Sequence, residues 1–396
     1  MEIAFITSGY LPVPPTKGGA VENIIMNLIK INEEQKEHNF VVYTIFDNIN
    51  EKFSNTKIIG IKVPFFIKII DLLTYFICKN LLRKKHLITY RFIFQRLYFL
   101  RKVGKKINKS KHDKIVLENN VIMFKAFHFK NNFDLYKGKI YYHAHNEIGR
   151  SLGFEKDFKY CKKIISVSKY IENCFKKIID NSEVKYTTLI NTVDSNIFMK
   201  NASNDDILKL RTKYEINNGL YTIVFAGRIS KEKGVLELLN ALKDLSFKYN
   251  LLIIGNSFYK TDLKDKYQKK LINVIRELEG NIIFTGYIPY CDMYKYYQLG
   301  DICVLPSIWN DPCPLTVIEC IMSGTPLITT NVGGIPEIVR DCTYMLDVNN
   351  ISSNITNLLE ECIINRDTIK QDAKKYRETY DSLFGYYYKF IDSLID

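Results

Sequence analysis

Leu220-Tyr221-Thr222-Ile223-Val224-Phe225-Ala226 is an almost uniformly apolar run, and Gly227-Arg228-Ile229-Ser230-Lys231-Glu232-Lys233-Gly234 follows it directly. A short apolar run ending in glycine reads as a strand buried on both faces, the kind found in a parallel sheet covered by helices. Glycine permits a tight turn at the strand end, and a following helix can present free N–H groups to an anion. Arg228 offers a planar fork to phosphate oxygens and Lys233 a mobile point charge, so the two could meet one anionic group from two sides. The alternative at this level is a pair of solvated charges at an ordinary strand-to-helix turn.

Outward from this stretch the same alternation recurs. Strand candidates follow at 250–254, 282–285, 301–305, 326–330 and 344–347. Others precede it at 2–7, 40–46, 113–117, 139–144, 163–167 and 185–190, separated by helical patterns. The apolar pattern dips at 194–219, where Asn, Asp, Ser and Lys dominate, and this reads as the connection between two α/β domains. The expected bounds are 1–193 and 194–366, with a helical, aromatic tail at 367–396 that packs back across the junction. Tyr376, Tyr380, Phe384, Tyr387 and Phe390 mark that tail. Two such domains facing each other would form a cleft at the carboxyl ends of their strands, where open α/β sheets bind ligands.

Length and composition agree with this reading. The 396 residues suffice for two domains, and 46% hydrophobic with 25% charged residues argues against disorder. The start, Met1-Glu2-Ile3-Ala4-Phe5-Ile6-Thr7, moves straight into a strand pattern without a basic leader, so no secretion signal is expected. Nine cysteines without close CxxC spacing read as reduced, mostly buried thiols.

The net charge of +13 is localised. Between Lys62 and Lys111 stand 14 Lys or Arg and one acid, Asp71, so the remainder of the chain sums to neutral. Apolar clusters such as Phe65-Phe66, Leu72-Leu73 and Tyr75-Phe76-Ile77 interleave with the basic residues. Such a segment fits an anionic membrane surface or a phosphate-bearing lipid acceptor. Core-packed helices with a solvated basic face are the plainer alternative. Nucleic acid is not expected, because no zinc-finger spacing or RRM-like stretch accompanies the charge.

A second group of functional candidates follows the strand at 301–305. In Trp309-Asn310-Asp311-Pro312-Cys313-Pro314-Leu315-Thr316-Val317-Ile318-Glu319, Pro314 suits a helix start and the Leu315 and Thr316 amides could hold a diphosphate. Glu319 would lie about a turn and a half into that helix, beside the site rather than deep inside it, and its carboxylate suits sugar hydroxyls. Its plain alternative is a surface charge. Thr330-Asn331-Val332-Gly333-Gly334-Ile335-Pro336-Glu337 is another Gly-rich turn into a helix.

Taken in order, Gly-Arg-x-x-x-x-Lys-Gly, the Asp311…Glu319 segment and Ser323-Gly324-Thr325-Pro326-Leu327-Ile328 with Gly333-Gly334-Ile335-Pro336-Glu337 resemble the retaining glycosyltransferases of family 4. The N-terminal half resembles them more loosely, through Gly18-Gly19-Ala20, His143-Ala144-His145-Asn146-Glu147 and Asn191-Thr192-Val193-Asp194. The resemblance implies the GT-B fold: a Rossmann-like acceptor-binding domain facing a Rossmann-like nucleotide-sugar-binding domain across a cleft. It implies that Arg228 and Lys233 bind the donor diphosphate, that Glu319 holds the ribose, and that Asp311 faces the donor sugar. Pro314, Leu315 and Thr316 belong to the same donor site. Gly18 and Gly19 resemble the loop that approaches the donor, and His145 the histidine near the reacting centre.

This sequence departs from the family at Asp311, where Glu is common, and at Asn191-Thr192, where Asn-Gly is common. His143 and His145 could share one face, but the rest of a metal-ligand set is missing from the sequence, so no metal site is expected and His143 reads as mainly structural. The implied reaction moves a sugar from a nucleoside diphosphate sugar, UDP by family frequency, to a hydroxyl of a cell-surface glycan or lipid-linked acceptor. No DxD motif occurs, which fits charge neutralisation without a required divalent ion or other cofactor. Rival readings are a nucleotide-sugar epimerase or hydrolase of the same fold, and a non-catalytic sugar-nucleotide or polysaccharide-binding protein. The expected location is cytoplasmic, with peripheral attachment to the inner face of the membrane.

Overall fold

A computed structural model of the chain describes residues 1–16, 18–47, 52–80, 92–149, 153–179, 183–255, 266–339, 343–377 and 382–395. They form two compact units, Met1–Asn191 with Phe384–Asp396, and Thr192–Leu383. Residues 367–383 thus cluster with the second unit and only the segment from 384 onward with the first.

The first unit is built on seven strands: β1 (Glu2–Ile6), β2 (Asn39–Ile45), β3 (Thr56–Ile61), β4 (Lys114–Glu118), β5 (Ile140–Ala144), β6 (Cys161–Ser166) and β7 (Lys185–Thr188). They pair in parallel in the order β3-β2-β1-β4-β5-β6-β7. The sequence reading missed β3. Its Thr-Lys-Ile-Ile-Gly-Ile carries no clean alternation, and at the sheet edge only half its burial is enforced. The second unit carries β8 (Tyr221–Ala226), β9 (Tyr249–Ile254), β10 (Asn281–Gly286), β11 (Ile302–Leu305), β12 (Leu327–Thr330) and β13 (Thr343–Leu346), parallel in the order β10-β9-β8-β11-β12-β13. Every residue of β5, β8, β9, β11 and β12 is buried, the cause of their largely apolar character.

Among the helices of the first unit are α1 (Ala20–Gln35), α2 (Phe65–Asn80) and α3 (Ile93–Ile107). Asp71, the lone acid of the basic segment, is buried. Its carboxylate accepts the Phe94 and Gln95 amides, both at 2.9 Å, and so ties α2 to the start of α3. A carboxylate at a helix N-terminus satisfies orphan donors and opposes the positive end of the dipole. Only Ile67, Asp71 and Cys78 of the described α2 side chains are buried, whereas Phe65, Phe66, Leu72, Leu73 and Phe76 are more than half exposed. The Leu81, Leu82, Arg83, Lys84, Lys85 and Arg91 part of that basic segment lies outside the described residues.

In the second unit, α4 (Asn204–Lys213) occupies the stretch read from sequence as a connection. None of its residues is buried, so it has no apolar stripe to read. Local electrostatics favour it: the Ser203 hydroxyl accepts the Asp206 amide at 3.1 Å, with Asp205 and Asp206 in the first turn and Arg211 and Lys213 in the last, and Lys295 reaches Asp206 at 3.3 Å from a neighbouring helix. The core packs α5 (Val235–Ala241) and α7 (Ile351–Ile364) on the sheet, through Leu238, Leu239, Ile355 and Leu359. Between these two in chain order lies α6 (Leu315–Met322). After α7, α8 (Arg366–Tyr376) is anchored by Arg366, whose guanidinium donates to the buried Asp301 carboxylate at 2.6 and 2.9 Å.

The aromatic tail becomes α9 (Leu383–Ile395), whose residues from 384 belong to the first unit. Phe390 stacks on Phe5 of β1 with ring centres 6.0 Å apart, Tyr387 donates to Asn32 of α1 at 2.9 Å, and Tyr141 of β5 donates to the Leu394 carbonyl at 2.6 Å. Tyr380 lies outside the described residues. Among the described residues no helix is long and apolar enough to cross a membrane, and the eight described cysteines are free thiols.

Candidate active site

In each sheet the chain starts centrally, winds to one edge, then returns to build the other. The returns leave switch points between β1 and β4 and between β8 and β11. Strand ends at such points diverge into loops on opposite sides and leave a crevice. The sequence-predicted residues gather at these two places, one in each unit.

At the β8/β11 point, Gly227 and Arg228 leave β8, and Arg228 is exposed. Gly234 closes the loop with φ 69°, and a Cβ there would lie 1.8 Å from the Pro306 carbonyl oxygen. No side chain fits, so glycine lets this loop lie against the one leaving β11. The two loops are also joined by the Ile308 amide, which donates to the Glu232 carbonyl at 3.0 Å. Lys233 then forms an ion pair with Asp311 across the contact, the lysine side chain 18% and the aspartate 9% exposed. Asp311 is held from behind, since its carbonyl accepts the Gly334 amide at 2.8 Å. The Gly333-Gly334 turn thus supports the acid.

Pro314 caps α6, and Leu315 and Thr316 form its first turn, where amides have no intrahelical acceptor. Lys233, Ala226, Leu305, Ser307, Pro314 and Thr316 line a small pocket at this point. One expectation fails here. Glu319 is neither a surface charge nor at the margin: only 6% of it is exposed, because α6 is buried on nearly every side. The buried Tyr297 donates its hydroxyl to Glu319 Oε2 at 2.9 Å. Burial raises the Glu319 carboxyl to about 7, with the Tyr297 hydrogen bond pulling the other way. Tyr297 escaped the sequence reading, having no motif around it.

At the β1/β4 point, Gly18 and Gly19 precede α1 with φ of 72° and 125°. A Cβ on Gly19 would fall 2.1 Å from Glu22 Oε2, so that glycine makes room for a carboxyl group as well as for the turn. Glu22 is buried and accepts from Ser8 Oγ at 3.3 Å. Burial lifts its carboxyl to about 7, with the charge of Glu118 adding to the rise against its hydrogen bonds.

Glu118 ends β4, and His143 and His145 end β5. The Glu118 Oε2 atom lies 3.1 Å from His143 Nδ1 and 2.9 Å from His145 Nε2, and the two ring nitrogens are 3.1 Å apart. All three residues are buried. Asn119 aligns the strand ends: its side-chain oxygen accepts the His145 amide at 3.1 Å, and its own amide donates to the His143 carbonyl at 2.9 Å. Burial would raise Glu118, but attraction and hydrogen bonds from both histidines outweigh it and hold the carboxyl at about 2. Burial and His143 depress His145 to about 4 despite Glu118, so its imidazole is neutral at pH 7. The sequence reading found no partner for His143 and His145; the structure sets Glu118 against both, from a strand end that read as ordinary.

Residues 206–376 match the family described as "Glycosyl transferases group 1", which spans Arg228, Lys233, Asp311 and Glu319. The chain is 24% identical to a Bacillus subtilis (strain 168) protein provisionally named glycosyltransferase YtcC, over 98% of this chain and 89% of the relative. It is 24% identical to the lipopolysaccharide 1,2-N-acetylglucosaminetransferase of Salmonella typhimurium over 60% of this chain and 59% of that protein. Among solved structures, Anabaena Alr3699/HepE in complex with UDP and glucose superposes with a TM-score of 0.75 at 17% identity, covering both chains fully. The likeness shows the GT-B fold.

Proposed function

We propose that this chain, whose residues 206–376 match a group 1 glycosyl transferase domain and whose fold is GT-B, transfers a sugar, with retention, from a UDP-sugar to a hydroxyl of a cell-surface glycan or lipid-linked acceptor. The observation that carries the proposal is the junction of two loops at the β8/β11 switch point, where Lys233 pairs with Asp311 and lies with Pro314 and Thr316 at the start of α6, with Arg228 exposed on the loop leaving β8 and Glu319 buried within α6. A nucleoside diphosphate asks for two cationic groups and helix amides on its phosphates and for a carboxylate on its ribose. These residues offer that set at one strand edge.

In this reading Arg228, Lys233 and the Leu315 and Thr316 amides take the diphosphate, beside Pro314. Glu319, when ionised, accepts from the ribose hydroxyls, and Asp311 takes a hydroxyl of the transferred sugar. The bond from the anomeric carbon to the diphosphate oxygen breaks, and the negative charge that develops on that oxygen is neutralised by fixed cations and dipoles. Preorganised charges of this kind supply much of the rate enhancement in group transfer. No divalent ion is assigned to the diphosphate. The resemblance assigns Gly18 and Gly19 to the donor and His145 to the reacting sugar. His145 Nε2 is directed at Glu118, and a neutral imidazole there can orient hydroxyls through its other nitrogen.

UDP as the nucleotide is supported by the UDP complex of the Anabaena structural neighbour, and a surface glycan acceptor by the lipopolysaccharide transferase relative. Peripheral attachment to a membrane is part of the proposal. It rests on α2, whose apolar side chains face outward among basic residues. A screen of nucleotide sugars, read by mass spectrometry for release of nucleoside diphosphate, tests the reading. Slow UDP release from one UDP-sugar, accelerated by an acceptor glycan, is expected. An epimerised donor, or no turnover with any donor, would overturn it.

A further inference from the structure

The Glu118–His143–His145 triangle raises a question that hydrogen bonding answers poorly. Its three facing atoms lie within 2.9–3.1 Å of one another, on three buried residues. A neutral imidazole carries a single ring proton. If both histidines donate to Glu118 Oε2, their N–H groups crowd side by side at 3.1 Å. If one donates to the other instead, the carboxylate loses a donor. The second carboxylate oxygen, Glu118 Oε1, is buried and has no hydrogen-bond partner among the described residues.

We propose that Glu118, His143 and His145 form a site for a divalent transition-metal ion. Two imidazoles and a carboxylate are the donors that such ions favour over magnesium or calcium, which prefer oxygen alone. A cation about 2.1 Å from each donor would see them at roughly 90° to one another, the facial arrangement of two histidines and one carboxylate. The orphaned Oε1 belongs to the same carboxylate and can complete a bidentate grip.

Sequence and topology explain why the three converge. β4 and β5 are neighbours, and their register pairs Glu118 with His143. His145 comes two residues later, at the strand end, where Asn119 holds its amide. The ion would fix the His145 ring through Nε2 and leave its Nδ1 edge to other partners. It would serve to hold that histidine and not to carry the diphosphate. The site lies wholly within the first unit and stands independently of the proposed sugar transfer.

The test uses the full chain. Metal content as purified is measured by elemental analysis, and chelator-stripped protein is titrated with Co2+ by visible absorption and with Zn2+ by calorimetry. One equivalent is expected, together with cobalt bands of nitrogen and oxygen ligation and a higher Tm. Glu118→Gln and His145→Gln, each checked for folding by circular dichroism, should weaken binding by at least about 100-fold, the upper part of the loss typical when ligand geometry is disturbed. A wild-type chain that neither holds a metal as purified nor takes one up overturns the site, whatever the variants do. So do thiolate charge-transfer bands, which would move the metal to the cysteines, or binding unchanged in Glu118→Gln, which would remove it from this cluster.

Discussion

Lys233 and Asp311, 78 residues apart in sequence, are joined by an ion pair that closes the contact between the loops leaving β8 and β11. In the proposed donor site one member belongs to the phosphates and the other to the sugar, so the pair must open or share when substrate arrives. Asp311→Asn should therefore tighten binding of UDP alone by a few fold, because Lys233 is released. The same variant should lower kcat by at least about tenfold, because the sugar loses its carboxylate. The Arg228→Ala, Lys233→Ala double variant should lose about 100-fold or more in kcat/KM, the scale of removing charge stabilisation from a transition state. Steady-state kinetics with circular dichroism as the folding control decides both. Near-normal transfer by the double variant would remove the leaving-group assignment.

In the proposed donor site, Glu319 should make donor binding sensitive to pH. Its carboxyl is raised from 4.5 to about 7 by burial. Between those two values it is protonated in the folded protein and ionised in the unfolded one. Its contribution to stability therefore falls as pH rises through that window. Ribose recognition by a carboxylate acceptor has the opposite sign: affinity for UDP should fall by up to about tenfold per pH unit below 7. In Glu319→Gln the calorimetric slope should be one proton shallower, with only the ionisation of the nucleotide phosphate remaining. An unchanged slope would detach Glu319 from the nucleotide.

The outward face of α2 leads to a vesicle prediction. With Phe65, Phe66, Leu72 and Phe76 exposed beside basic residues, the chain should sediment with anionic vesicles at low salt and be released as salt rises. Replacing Phe66, Leu72 and Phe76 together by Ser should abolish sedimentation without lowering Tm, since these side chains are already in water. Equal recovery in the supernatant with anionic and neutral vesicles would count against the membrane reading.

Phe390 tests the docking of α9. It is fully buried and stacks on Phe5, with the His143 ring 5.5 Å away. Phe390→Ala should destabilise the first unit by about 3–5 kcal/mol, the usual range for emptying a buried aromatic site. Denaturant unfolding followed by hydrogen exchange should show the loss concentrated in β1 and β5. A change below about 1 kcal/mol would mean that α9 is only loosely seated.

Much of the fold was legible because burial on both faces writes itself into sequence as an unbroken apolar run, as in Tyr221–Ala226. The donor-side candidates were legible for a related reason. Glycine at 234 answers a steric demand that no other residue meets, and such demands leave a visible mark. What escaped notice had no local mark. Glu118 closes an ordinary-looking strand, and its partners lie 25 and 27 residues downstream. Tyr297 sits in a run of tyrosines, and only tertiary packing aims it at Glu319. Helix α4 has no buried face, so hydrophobic periodicity could not reveal it, although its Ser203 cap and charge gradient could have. The burial of Glu319 was misjudged for want of one fact, that α6 is enclosed on nearly all sides.

The return of α9 to the first sheet has a consequence for how the chain is made. Strand β1 leaves the ribosome before the second unit, yet Phe390, which covers Phe5, emerges only after the whole of that unit. At translation speeds of about 5–20 residues per second, the nascent first unit waits roughly ten to forty seconds with that aromatic surface open. The second unit, continuous in sequence, can close before it. Biogenesis thus runs opposite to the order of synthesis, and the waiting surface around Phe5 is the part of the newborn chain that a chaperone would have reason to shelter.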